Sequence, residues 1–164
     1  MIILAGGEEN IEKCAEVYYK SWRLSHKGIV SEDFLMKFDA KKAEKLLRES
    51  LASDEKLFYL SENNEIKGIV VISDKDNEIR RLYVKPDSTR KGYGSELLNF
   101  AVKQLDYEKP IKVTVMNKNL NAVEFYEKNG FVSTGICRVL NETADLKEIK
   151  FVLTLNDDTM KALK

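Results

Sequence analysis

Sulfur, proline and histidine are scarce in this chain of 164 residues, which holds two cysteines, two prolines and one histidine. Cys14 falls in a helical pattern and Cys137 in a strand pattern, neither with a companion at metal-ligand spacing. That excludes a disulfide scaffold and a cysteine-built metal site, and both thiols are expected to be reduced and buried as small hydrophobes. The single histidine, His26, reads as a solvent-facing loop residue, and no metal is expected. Neither sign of charge dominates, since Lys plus Arg and Asp plus Glu number 27 each. No single-sign field is available to hold nucleic acid or an anionic membrane, so any positive charge that matters must be local. The longest strictly aliphatic run is Ile69-Val70-Val71-Ile72, far short of the ~20 apolar residues of a membrane span. The N-terminus has no signal-peptide layout, and the expectation is a cytoplasmic protein without membrane or nucleic-acid partners.

What is present is a dense alternation of helix and strand patterns. A chain of this length buries roughly 70% of its unfolded surface as one unit, and the pattern reads as a single domain over 1–155 with a polar tail over 156–164. Ile2-Ile3-Leu4 predicts a short first strand, and Ile11, Cys14, Ala15, Tyr18 and Trp22 share a helical stripe. Ser31 predicts the cap of a short helix through Phe38, and Ala43, Leu46, Leu47 and Leu51 mark a helix over 40–52, with a break near Asp39. Strands over 56–62, 65–73 and 78–85, separated by turns at Asn63-Asn64 and Lys75-Asp76-Asn77, form an antiparallel meander. Pro86 stops the last of these. A helix over 92–105 then leads past Pro110 to a strand over 111–115, which a helical crossover places parallel to the strand at 78–85. A short helix over 121–128 ends at Asn129-Gly130, a left-handed stop, before a closing hairpin over 131–140 and 145–155. This order predicts an α/β (α+β) architecture, a mixed but mainly antiparallel sheet of about seven strands with helices on both faces.

Two segments concentrate the chemistry. The first, Glu78-Ile-Arg-Arg-Leu-Tyr-Val-Lys-Pro-Asp-Ser-Thr-Arg-Lys-Gly-Tyr-Gly-Ser95, runs from a strand through a glycine turn into the apolar helix pattern Leu97, Leu98, Ala101, Leu105. A helix start offers unpaired N–H groups and the positive end of the macrodipole, and Gly92 and Gly94 let a phosphate approach the backbone. Taken alone, it could equally be a structural glycine turn flanked by two solvated cations. The second is Asn117-Lys-Asn-Leu-Asn121-Ala-Val-Glu-Phe-Tyr126-Glu-Lys-Asn-Gly-Phe131. Together they resemble the GNAT superfamily of acyl-coenzyme A dependent N-acetyltransferases. Element order carries the resemblance over nearly the whole chain, while the specific motifs lie between Glu78 and Phe131.

The resemblance implies acetyl-coenzyme A as acyl donor and a primary amine of a small molecule or protein as acceptor, with direct attack in a ternary complex and no metal. The family signature of Gln or Arg, two variable residues, Gly, one variable residue and Gly or Ala falls on Thr89 to Gly94, with Thr89 replacing the leading Gln or Arg. It implies that Arg90, Lys91, Gly92, Tyr93, Gly94 and Ser95 bind the pyrophosphate, chiefly through backbone N–H groups, with Arg90 and Lys91 adding charge. Main-chain groups of Leu82, Tyr83 and Val84 are implied to pair with the pantetheine arm where the neighbouring parallel strand splays, and to stabilise the oxyanion. Asn121 is implied to hold the pantetheine or phosphate region, or to serve as a helix cap, or both. Tyr126 is implied as the general acid for the departing thiolate, against the alternative of a packed aromatic. Glu78 is implied as the base, acting directly or through water, against the alternative of a charged strand end. Acceptor recognition is implied for Tyr18 to Phe34 and Phe131 to Leu155. Arg80 and Arg81 are expected to point to opposite sheet faces. A homodimer is compatible with the resemblance. The competing reading is a module that binds an acyl-coenzyme A without turnover, as a sensor or interaction domain.

Overall fold

The computed structural model describes residues 1–155, and the expected polar tail over 156–164 lies outside them. Strands β1 (Ile2–Ala5), β2 (Glu55–Glu62), β3 (Glu65–Ser73), β4 (Glu78–Val84), β5 (Ile111–Met116), β6 (Val132–Asn141) and β7 (Leu146–Leu153) form one sheet in the order β1-β2-β3-β4-β5-β7-β6. Only β4 and β5 pair in parallel among the described residues. Helices α1 (Ile11–His26), α2 (Glu32–Lys37) and α3 (Ala40–Leu51) pack on one face, and α4 (Tyr93–Gln104) and α5 (Leu120–Lys128) on the other. This is the mixed α/β architecture that the element order predicts.

Alternation along β3 explains its unbroken aliphatic run. Ile69 and Val71 face the α1–α3 layer with Leu57, while Val70 and Ile72 face α4 with Leu60, Ile79 and Leu97. A strand covered on both faces has no polar position.

Between β4 and β5 the sheet opens. Their ladder holds only Glu78 with Lys112 and Ile79 with Val113. The disturbance lies in β4, where Val71 pairs with Arg81 and Ile72 with Ile79, leaving Arg80 as an extra, unpaired residue. Such a bulge bends its strand and increases its local twist, so β4 leaves β5 soon after Ile79.

Two residues are placed differently from expectation. Cys137 lies on the edge strand β6, whose residues are all exposed, with no helix over it among the described residues, so it is not a buried hydrophobe. Cys14 is buried as expected, its thiol pushed up to about 12 chiefly by burial and secondarily by Glu9. His26 is not a surface-loop residue: it closes α1 and is buried, its ring stacked on Trp22 with centroids 4.4 Å apart. Its Nδ1 lies 2.8 Å from the Trp22 carbonyl, to which an N–H there donates.

Burial lowers the His26 pKa below its ordinary 6.5. As pH falls, the unfolded chain therefore takes up a proton at this ring before the folded chain does, and stability present above about pH 6.5 is lost below it. Between about pH 7.5 and pH 5 the wild-type Tm is expected to drop more than that of His26→Gln, measured by calorimetric melts. Parallel Tm profiles would show that the ring does not contribute.

Candidate active site

The parity of the β3–β4 ladder decides which backbone groups face the opening. The Lys85 N–H donates to the Lys67 carbonyl at 2.8 Å. Alternation along an antiparallel pair then makes Tyr83 and Arg81 the residues bound through their main chains to Ile69 and Val71. Leu82 and Val84 present their N–H and C=O groups the other way, toward β5. The Val84 carbonyl accepts a hydrogen bond from Ser21 Oγ of α1 at 2.7 Å. Among the described residues the Leu82 N–H and C=O and the Val84 N–H have no strand partner, because the β4–β5 ladder has already ended. Tyr83 thus differs from its two neighbours: its main chain is engaged by β3. Its half-buried ring packs on Tyr18 with centroids 4.9 Å apart, and burial pushes its phenol well above the usual range.

Just beyond the end of β4 lies the start of α4. Helices α2, α3 and α5 begin on Ser31, Asp39 and Asn119, whose side chains accept from the N–H groups of Phe34, Lys42 and Ala122. Helix α4 has no side-chain cap and begins on Gly92. Its first N–H groups, on Tyr93, Gly94 and Ser95, therefore lack both intrahelical and side-chain acceptors among the described residues. Gly92 has φ +87° and nothing within 4 Å of where a Cβ would stand, so the turn requires glycine while the space beside it is open. At Gly94 a Cβ would lie 3.4 Å from Phe125 and 3.7 Å from Val84, which places the helix start, the end of β4 and α5 side by side. Arg90, at φ +60°, and Lys91 are exposed, and neither forms an ion pair among the described residues. The Tyr93 ring is buried and its hydroxyl donates to the Glu62 carboxylate, leaving only its N–H outward.

Asn121 is exposed at the second residue of α5, and the cap of that helix is Asn119, accepting from the Ala122 N–H at 3.3 Å. The capping alternative for Asn121 is thereby removed. Tyr126 lies buried between Phe125 and Phe131, with ring centroids 5.2 and 5.3 Å away. Burial holds its phenol well above the usual range. Among the described residues its hydroxyl has no hydrogen-bond partner.

Glu78 sits at the root of the opening. Its Oε2 accepts from Arg80 Nη1 at 2.6 Å and its Oε1 lies 3.3 Å from Thr114 Oγ1. Thr114 alternates with Val113 and Val115, which face α4 and α5, so the carboxylate lies on the opposite face from Tyr126. Arg80 and Arg81 do not diverge to opposite faces as period-two alternation predicts. The bulge brings both to Glu55, with Arg80 Nε 3.3 Å and Arg81 Nη1 3.1 Å from its carboxylate oxygens. Sequence reasoning also missed Ser21, Phe125 and Thr114. For Thr114 the available signal was a single hydroxyl in the otherwise apolar-alternating strand Ile-Lys-Val-Thr-Val-Met.

Unpaired main-chain groups suit an amide-bearing chain laid along β4, and the uncapped α4 start suits an anion at its end. A family model for the acetyltransferase (GNAT) domain matches residues 23–142. The spermidine N(1)-acetyltransferase of Thermoplasma acidophilum is 32% identical over 134 residues, which are 75% of this chain and 83% of that protein. The structure of PaiA N-acetyltransferase from Thermoplasma acidophilum, in complex with coenzyme A, superposes with a TM-score of 0.73 at 23% identity, covering 94% of this chain and 100% of that one. The ribosomal-protein-alanine N-acetyltransferase of Brucella melitensis gives a TM-score of 0.71 at 13% identity, covering 94% and 100%.

Proposed function

Because the chain belongs to the GNAT family of acetyltransferases, we propose that it transfers the acetyl group of acetyl-coenzyme A to a primary amine by direct attack in a ternary complex. The observation that carries this reading is the continuity of the opening: unpaired groups of Leu82 and Val84 lead to the uncapped start of α4. In this reading residues 1–155 act as one catalytic domain. The relative named for spermidine supports a small polyamine as acceptor over a protein terminus.

Acetyl-coenzyme A supplies an activated acetyl group on a sulfur that leaves as a thiolate. The chain supplies the rest. N–H groups at Lys91 to Ser95 hold the pyrophosphate, with Arg90 and Lys91 adding charge and Asn121 reaching the same arm from α5. The Leu82 or Val84 N–H stabilises the negative charge that grows on the acetyl oxygen. Glu78, from the α1–α3 side, takes the proton that the amine loses as its nitrogen bonds to the acetyl carbon. Tyr126, from the α5 side, returns a proton to the sulfur as the carbon–sulfur bond breaks.

Glu78→Gln is expected to lower kcat/KM about 100-fold. The loss should be greatest at low pH, where the acceptor amine is mostly protonated and needs a base. Initial rates across the pH range, with the product identified by mass spectrometry, test this. A loss of equal size at every pH would remove the base from Glu78.

A further inference from the structure

Resting on the assignment of Glu78 as base, we propose that Arg80 is a positioning residue, whose guanidinium aims the Glu78 carboxylate into the opening that the same residue's bulge creates. Three carboxylates surround this guanidinium. Nη1 donates to Glu78 Oε2 at 2.6 Å, Nε lies 3.3 Å from Glu55 Oε1, and Nη2 donates to Asp76. A guanidinium donates in a fixed planar fork, so anchors on three sides prevent it from turning.

Its hold on Oε2 directs Oε1 toward β5, where Thr114 Oγ1 at 3.3 Å is the hydrogen-bond partner among the described residues. Oε1 is thus the oxygen presented to an amine or to a bridging water. Behind Arg80 the restraint continues into the helices: Arg81 donates to Glu55 Oε2, Tyr18 Oη and Ser50 Oγ at 3.1 Å each. The chain Glu78–Arg80–Glu55–Arg81 therefore ties the orientation of one carboxylate to α1 and α3. An exposed ion pair would contribute little, but Glu78 is 9% exposed and its side chain has three rotatable bonds to restrain. Misplacing a reacting group by ~1 Å can cost about 100-fold in rate.

A double-mutant cycle tests the proposal. Arg80→Gln is expected to lower kcat roughly 10- to 100-fold, with the calorimetric Kd for acetyl-coenzyme A unchanged. Arg80→Lys recovers part of that loss, because an ammonium can hold Oε2 without filling the fork. In the Glu78→Gln background, Arg80→Gln costs less than about twofold more, as expected of residues acting as one unit. Independent, multiplying losses would overturn the proposal, as would an unchanged kcat in Arg80→Gln. If Glu78→Gln alone leaves the rate intact, the base assignment falls and this inference with it; a strong Glu78 effect without coupling sinks the inference alone. Should Arg80→Gln not fold, Asp76→Asn, which loosens only one anchor of the guanidinium, gives a smaller loss that must vanish in the Glu78→Gln background.

Discussion

Gly92→Glu is expected to abolish acetyl-coenzyme A binding, raising its Kd by more than about 100-fold. Two effects combine. The backbone at φ +87° is unfavourable for any residue with a Cβ, by roughly 1–2 kcal/mol. The larger effect is electrostatic: a carboxylate projects into the open space before the uncapped N–H groups of Tyr93, Gly94 and Ser95, where the proposed pyrophosphate sits. The helix start would then be satisfied by its own side chain, as Ser31, Asp39 and Asn119 satisfy theirs. Gly92→Lys separates the two effects, since it carries the same backbone strain with the opposite charge and should bind far better than the glutamate variant. Isothermal titration calorimetry measures both, and near-normal affinity in Gly92→Glu would refute this placement of the anion.

Tyr126→Phe is expected to lower kcat about 100-fold while leaving acetyl-coenzyme A affinity and Tm nearly unchanged. The phenol makes no hydrogen bond to a described residue, so removing its oxygen leaves no described group unpaired, and the ring contacts with Phe125 and Phe131 remain. Its raised pKa keeps it protonated throughout the neutral range. Burial disfavours a thiolate as it does a phenolate, so a desolvated sulfur gains basicity alongside the phenol, and the proton can move between them. Steady-state kinetics beside a thermal melt separate the roles. An unchanged rate would make Tyr126 a core aromatic only.

Local chemistry made much of this readable from the residues. Ser31 and Asp39 announce their helices, Asn63 and Asn64 take the positive φ values of 53° and 61° that their hairpin needs, and Gly130 ends α5 at φ +85°. The strand, glycine turn and helix from Glu78 onward were equally plain. Properties that belong to two elements at once were not. The Arg80 bulge exists only in the register of β4 against β3, so the convergence of Arg80 and Arg81 on Glu55 has no signature in either strand alone. The same parity engages the Tyr83 main chain and frees that of Leu82 and Val84. His26 and Cys137 exchanged their expected environments because burial depends on what covers a residue: Trp22 stacks on one, and among the described residues no helix lies over the other. At Asn117, Asn119 and Asn121, an asparagine at every second position leaves the cap undetermined until the helix start at Leu120 selects Asn119.

The most direct test of the proposed activity is release of free thiol from acetyl-coenzyme A in the presence of primary amines, beginning with spermidine. Amine-dependent release, matched by an equal amount of N-acetylated product and depressed in Tyr126→Phe, is the predicted result. Tight binding of acetyl-coenzyme A with no release on any amine would contradict it, and would leave the chain a binding module on an acetyltransferase fold.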